Sequence, residues 1–191
     1  MEKLQTKETA GAGMVMNSGD SDSIPIKGTY KITCLDKNGM VKWEDKIDNL
    51  VATIGKNLML DTVLAGSAYT VTGPYMGMIS SVSYSAIVAA DTMASHAGWT
   101  EAGSTNAPTF AARLITAWSA ASAGAKALSA SCSFAMTGAG TLKGCFIVFG
   151  PSAVATLMST AGTLLSAGLF AGGDRAVLSG DTVNVSYSLS L

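Results

Sequence analysis

The stretch GTYKITCLDKNGMVKWEDKI, residues 28–47, decides the fold because it contains two strand patterns joined by a turn. Tyr30, Ile32 and Cys34 alternate with polar residues, which is typical of a strand that is buried on one face. The Asn-Gly dipeptide at 38–39 is the sequence that most strongly favours a tight hairpin turn. The residues after it return as a partner strand, so the sequence predicts an antiparallel β-hairpin over 28–47.

Directly after this hairpin the apolar spacing changes from that of a strand to that of a helix. Ile54, Leu58 and Asp61 fall three or four residues apart on one stripe, with apolar residues on its flank. This spacing predicts one short helix near residues 51–65, which ends at an Ala-Gly dipeptide. It is the only substantial helix that the pattern indicates.

The remaining chain alternates between short β segments and connections. Alternating or continuously apolar runs predict strands at 75–83, 113–119, 128–136, 142–150 and 183–191. Residues 84–109 are predicted to form a long loop. Residues 151–173 are predicted to be a connection of small residues that includes a short helix at 153–158.

These elements together define the expected architecture. Several short strands with turns and one helix predict a mainly β protein, an antiparallel β-sandwich or barrel with a jelly-roll-like form. Residues 1–24 are polar, contain glycine and lack periodicity, so they are predicted to be an extended N-terminal arm. Residues 25–191 then form a single β-rich domain, a length sufficient to bury a core without disulfide bonds.

Charge is distributed very unevenly along the chain. Residues 50–191 contain five cationic and five anionic side chains, and the first 49 residues contain the other 15 of the 25 charges. A soluble domain carries roughly 25% charged residues, far more than this body does. We therefore expect much of the body surface to contact other protein, and the wet surface to lie mainly in the arm and the hairpin.

Seven residues are candidates for such contacts between subunits. The C-terminal strand places uncharged polar side chains on the face opposite its apolar residues, where a second subunit or layer could lie. His96 and Trp99 are candidates within the long loop, and Arg175 is a candidate to pair with Asp174 of a neighbouring copy. The polar residues of the C-terminal strand are Asn184, Ser186, Ser188 and Ser190.

The sequence offers little that could perform chemistry, so no enzymatic activity and no cofactor are expected. His96 is the only histidine, and we interpret it as a loop residue that hydrogen-bonds backbone or a neighbouring subunit. Asp174 and Asp181 flank a glycine-containing segment, where capping of turns is favoured over a weak Ca²⁺ site. The three cysteines are expected to be reduced and buried.

Nucleic acid and membranes are not expected partners either. The net charge is −1, the basic residues do not cluster, and the sequence contains no phosphate-binding loop. The most apolar region, 142–169, is interrupted by polar residues and glycine, so it does not predict a membrane-spanning helix.

Several motifs in order resemble small virion structural proteins of tailed bacteriophages, the group that includes capsid cement or decoration proteins. The resemblance covers roughly residues 28–191, and the segment DTMASHAGWTE at 91–101 is its most specific part. The other motifs are Asp36-Lys37-Asn38-Gly39, Val41-Lys42-Trp43, Asn49-Leu50-Val51, Gly172-Gly173-Asp174-Arg175 and Gly180-Asp181-Thr182-Val183-Asn184-Val185.

The resemblance implies a component of the virion that is made in the host cytoplasm. As a decoration protein it would bind the major capsid protein, form a homo-oligomer such as a trimer, and stabilise the shell. The alternative is a tail, neck or head-fibre component, in which exposed loops such as 84–109 would contact a host receptor. A cell-wall hydrolase is disfavoured, because the sequence lacks paired carboxylates in a motif and a set of histidines.

Overall fold

The computed structural model describes residues 26–64 and 72–190, and the predicted arm at residues 1–24 lies outside them. The described residues form ten strands and one helix. In chain order these are β1 (Lys27–Leu35), β2 (Val41–Val51), α1 (Thr53–Leu64), β3 (Tyr75–Ser80), β4 (Leu114–Ile115), β5 (Ala125–Ala127), β6 (Cys132–Ala135), β7 (Gly140–Phe149), β8 (Thr163–Leu169), β9 (Arg175–Val177) and β10 (Thr182–Ser190).

The strands form one curled antiparallel sheet that closes into a half-barrel. Their order is β4-β3-β7-β8-β2-β1-β10-β5, and β6 pairs with β10 while β9 pairs with β7. The predicted class, a mainly β antiparallel fold with one helix, is confirmed. Strand β2 joins two parts of this sheet, which we name the hairpin half (β1, β2 and β10) and the covered half (β3, β7 and β8).

The predicted hairpin is present as β1 and β2, which pair from Gly28 opposite Asn49 to the turn. In the turn, the Asp36 carboxylate accepts hydrogen bonds from the amides of Asn38 and Met40 at 2.8 and 2.9 Å. Gly39 has a φ of 81°, a left-handed conformation that glycine adopts without strain. These contacts lie within residues 36–40, so the turn is specified by its own sequence.

Strand β8 corrects the predicted connection at 151–173. It lies in the middle of the sheet, where it pairs with β7 along its length and with β2 at Leu50 and Val51. The short helix predicted at 153–158 is wrong, because these residues form turns and irregular backbone. The small residues of β8 are suited to an environment that is buried on both faces.

Other predicted strands are shorter than expected. The strand predicted at 113–119 is reduced to the two residues of β4, and the one at 128–136 to the four residues of β6. β3 and β7 agree with the predictions at 75–83 and 142–150, although β3 ends three residues earlier. β10 agrees with the predicted C-terminal strand up to Ser190.

The concave inner face of the half-barrel holds the larger core cluster. Residues from both halves meet there, among them Ile32 and Val185 of the hairpin half and Met76 and Ile147 of the covered half. A hydrogen bond crosses this core, since the Tyr30 hydroxyl lies 2.6 Å from Ser166 Oγ. It links β1 directly to β8, so the two halves are fixed to each other by polar as well as apolar contact.

A second core cluster lies on the outer face of the covered half. Residues 81–113, which we name the covering loop, place Met93 and Trp99 against Phe146 and Val148 of β7. The loop also adds a short antiparallel contact to the sheet, where the amide of Ala102 donates to the carbonyl of Met78 at 2.9 Å. The residues predicted as a loop are therefore irregular in backbone but closely packed on the sheet.

The helix α1 confirms the helix predicted near residues 51–65. Its buried residue is Gly55, which lies against the carbonyl oxygens of Leu164 and Leu165 in β8. Ile54, in the predicted stripe, is largely exposed. The helix therefore covers the edge of β8 through a glycine contact and directs several apolar side chains outward.

Candidate contact surfaces

The polar row of β10 lies on the outer face of the hairpin half, beside charged residues. In the strand register, Ser186 is opposite Lys31, Asn184 is opposite Thr33 and Ser188 is opposite Thr29. Ser190, opposite Lys27, ends the row, and all four residues of the row are partly exposed. The Ser186 hydroxyl donates to the carbonyl of Lys31 at 3.4 Å. The predicted contact row and the predicted wet hairpin thus form one continuous surface.

Beside this row the hairpin presents pairs of polar and charged side chains. Thr33 Oγ1 donates to Glu44 at 3.3 Å and Thr29 Oγ1 donates to Asp48 at 3.2 Å. Lys31 and Lys46 lie directly opposite each other in the register. Like charges in such positions repel each other and favour solvation. This surface therefore favours contact with solvent.

Trp99 does not lie on a surface at all. Its side chain is 1% exposed, and its indole nitrogen donates to Asp91 Oδ2 at 3.0 Å. Asp91 also accepts from the amide of Val88 at 3.0 Å. A side chain that is buried within its own chain cannot contact a second copy, so Trp99 is removed from the candidate contacts.

His96 follows the interpretation of a loop histidine that bonds to backbone. Its ring stacks on Trp99 with centroids 4.0 Å apart, and Nδ1 lies 3.0 Å from the carbonyl oxygen of Trp99. The ring is partly exposed on the covering loop. The segment at 91–101, which carries the sequence resemblance, is therefore a packing unit built around Trp99.

Within the described residues, Glu101 and Arg113 form a buried ion pair that the sequence did not indicate. Arg113, 2% exposed, donates from Nε and Nη2 to the two carboxylate oxygens of Glu101, each at 2.8 Å. The amide of Met158 donates to Glu101 at 2.6 Å, and Arg113 donates to the carbonyl of Ser159 at 2.7 Å. This network connects the covering loop to the segment 151–162. No motif relates these positions, so sequence patterns gave no signal for the pair.

Arg175 and Asp174 form ion pairs within the chain, and not with each other across two copies. Arg175 donates to Asp45 Oδ2 from Nε at 2.9 Å and from Nη2 at 2.7 Å. Asp174 accepts from Lys143 at 2.7 Å. Burial raises the pKa of Asp45, but hydrogen bonds from Arg175 and from the amides of Lys46 and Gly172 outweigh it, so the pKa lies below its usual range. The predicted pairing of Asp174 with Arg175 of a neighbour is therefore not needed to satisfy either charge.

Most of the few charges in the body are engaged inside the protomer. Asp181 accepts from Lys42 and from the amide of Leu178, which caps a turn as predicted. Together with the pairs above, eight of the ten charged side chains after residue 49 have described partners within the chain, including Lys126, which donates to the carbonyl of Ser119 at 3.0 Å. The other two, Lys56 and Asp61, are exposed residues.

The helix α1 exposes several large apolar side chains. Val63 and Leu64 are each 78% exposed and Leu60 is 55% exposed, and Ile54 lies on the same helix. We name these four residues the α1 surface. Single exposed apolar residues are ordinary, whereas several on one helix make it a candidate contact surface.

The cysteines and the titratable groups offer little reactivity within residues 26–64 and 72–190. Cys34, Cys132 and Cys145 are free and buried, as predicted. Burial raises the pKa of Cys34 and of Cys132 to about 11, and it also raises the pKa of Cys145. No group of three or more His, Cys, Asp or Glu in this part of the chain is placed to hold a metal ion. None of its helices is long and apolar enough to cross a membrane.

Comparisons with known proteins identify no relative. No family model, no curated protein and no solved structure matches this chain.

Proposed function

We propose that this protein is a structural component of a tailed-phage virion, and that it acts as a capsid decoration protein on the major capsid shell. The observation that carries the proposal is the α1 surface on a body most of whose few charges are engaged internally. Burial of such an apolar surface against another protein is more favourable in free energy than its exposure to water. The sequence resemblance described above supplies the class of assembly.

The α1 surface is suited to a repeated contact of moderate strength. Fully burying one Leu or Val side chain contributes about 1.5–3 kcal/mol. Association costs several kcal/mol in lost freedom, so one copy of this surface binds weakly by itself. An oligomer that engages several α1 surfaces at once gains affinity through multivalency. A homo-oligomer over junctions of the shell, such as a trimer, meets this requirement.

The rigidity of the body supports a mechanical role. The sheet is covered on one outer face by a loop that the Glu101–Arg113 pair fixes in place, and Tyr30 joins the two halves across the core. A body of this kind transmits load between its contacts with little deformation. In this proposal it raises the barrier to shell rupture and performs no catalysis.

Binding to heads tests the α1 surface directly. Purified heads that lack this protein are mixed with the wild type or with a Leu60→Gln, Val63→Gln and Leu64→Gln variant, and bound protein is measured by co-sedimentation. We expect the variant to lose at least tenfold in occupancy. The matched control is Lys56→Ser with Asp61→Ser on the same helix, which should bind as the wild type does. Equal binding by both variants would remove α1 from the contact.

The arm is tested in the same assay. Deletion of residues 1–24 should lower occupancy if the arm contacts neighbouring capsid subunits, provided that the truncated protein still unfolds cooperatively. Unchanged binding would show that the arm has no role on the shell.

The position on the particle distinguishes decoration from the tail, neck or head-fibre alternative. Gold-labelled protein imaged on virions should appear as many copies distributed over the head. A few copies at one vertex or along the tail would contradict the decoration role.

A further inference from the structure

An apolar pocket opens at the end of the half-barrel where β1 begins. Its volume is about 300 Å³, at the lower end of the range for sites that receive small ligands. Its lining is apolar apart from one lysine at the rim, and it is formed by Met59, Pro74, Trp118, Lys126, Phe149, Leu165 and Leu189.

The strand register places the start of the described chain beside this pocket. Leu189 lies opposite Gly28 of β1 on one side and opposite Lys126 of β5 on the other. Ile26, two residues before Gly28, packs against the same core cluster as Leu189. The described chain therefore begins on the side of the body where Leu189 lines the pocket.

The sequence of residues 1–25 contains one apolar run that matches the pocket. Met14, Val15 and Met16 are consecutive, and glycine and polar residues flank them. Methionine side chains adapt to irregular apolar sites. The nine residues 17–25 can span up to about 30 Å at roughly 3.3 Å each, so they are long enough to turn back to the pocket.

Charge supports the same match. The linking residues 17–25 contain Asp20 and Asp22 and no cation. Lys126 donates to the carbonyl of Ser119 at 3.0 Å and forms no ion pair with any other described residue. An acidic link that passes the rim would bring opposite charges together.

We propose that Met14, Val15 and Met16 of the same chain occupy this pocket, with the acidic link beside Lys126. A short tether gives the segment an effective concentration in the millimolar range, so it outcompetes the same segment of another copy. The inference concerns the free protein and does not depend on the virion role.

Photo-cross-linking of the full chain tests the proposal. A benzophenone amino acid replaces Val15, and cross-linked peptides are identified by mass spectrometry in a mixture of isotopically light and heavy protein. We expect links within one copy to Met59, Leu165 or Leu189. The same group at Thr9 is the control and should not label these residues. Links between copies, links elsewhere on the body or equal labelling from position 9 would overturn the proposal.

Fluorine NMR gives an independent readout that cannot be confused with unfolding. In protein labelled with 5-fluorotryptophan, substituting Met14, Val15 and Met16 by Ser should shift the Trp118 resonance and leave those of Trp43 and Trp99 in place. Leu4→Ser is the matched control and should move none of the three. An unchanged Trp118 resonance would mean that residues 65–71, solvent or another surface covers the pocket, and would overturn the proposal.

Discussion

The hairpin half and the covered half belong to one sheet but differ on their outer faces. Outside β1, β2 and β10 lie serine, threonine and paired charges in contact with water. Outside β3, β7 and β8 lie Met93, Trp99 and the rest of the covering loop. The difference shows that one sheet can be stabilised in two ways. Its solvent-exposed outer face is stabilised by cross-strand pairs, and its buried outer face by a second packed layer.

The two halves should therefore respond differently to substitution. The covered half depends on buried polar contacts, whose partial loss is expensive because one member stays buried without its partner. The hairpin half depends on exposed pairs, each of which contributes little. The following changes test this contrast, beginning with the largest expected effect.

Arg113→Met should destabilise the protein most. It leaves the Glu101 carboxylate buried without its cation, a change that typically costs about 3–5 kcal/mol. Urea unfolding followed by circular dichroism measures it. Lys46→Met in the hairpin half removes the exposed partner of Asp48 and is the matched control, with an expected cost below about 1 kcal/mol. Equal costs for the two variants would contradict the contrast between the halves.

Gly55→Val should separate α1 from the covered half. A Cβ at this position would lie 2.9 Å from the Leu165 carbonyl oxygen and 3.0 Å from that of Leu164, so the helix must move. Overpacking of this kind costs about 1–3 kcal/mol. Hydrogen exchange should accelerate in α1 and β8 but not in β1. Lys56→Val on the exposed side of α1 is the control, and similar exchange in both variants would argue against docking through Gly55.

Acid should weaken the pairing of Asp45 with Arg175 between the hairpin and β9. Because the pKa of Asp45 is lowered in the folded state, its contribution is complete above the usual pKa of about 3.9 and is lost as pH falls through the folded value. Urea midpoints measured from pH 6 to pH 2.5 should therefore fall less steeply for Asp45→Asn than for the wild type. Asp48→Asn, on an exposed side chain, should keep the wild-type slope. Parallel curves for Asp45→Asn and wild type would refute the assignment.

The smallest effect is expected on the wet face. Lys31→Glu places opposite charges at positions where Lys31 and Lys46 now face each other, and should stabilise by about 0.2–1 kcal/mol at low salt. Added salt should remove the gain by screening. Lys37→Glu in the hairpin turn, which has no cation opposite it, is the control. A gain that persists in high salt would point to packing and not to charge.

The same contrast explains how much of the structure could be predicted from the sequence. The hairpin and β10 have one wet face, so their apolar residues alternate and their positions were predicted. The run TLLSAGL of β8 is covered on both faces, carries no alternation and was taken for a connection. The helix was predicted in place, but the spacing of its apolar residues did not indicate its contact with β8 through Gly55.

The candidate contacts were predicted less well because they depend on neighbours that the sequence does not reveal. Trp99 was predicted as a contact residue, but in the folded chain Asp91 and Phe146 enclose it. Arg175 was also predicted as a contact residue, but it forms an ion pair with Asp45 of the same chain. The polar row of β10 was placed correctly on an outer face, and its contact with a second copy stays a prediction. Only the folded chain could show that the α1 surface is left exposed.

The pairing of strand β1 also determines how the fold would respond to a mechanical force. It is paired on both long edges, with β10 from residue 27 to residue 35 and with β2 from residue 28 to residue 35. A tension applied through residues 1–25 along the strand axis would strain both ladders in shear, with many bonds loaded together instead of opened one after another. A pull applied at the start of β1 would therefore be resisted by two ladders of hydrogen bonds at once.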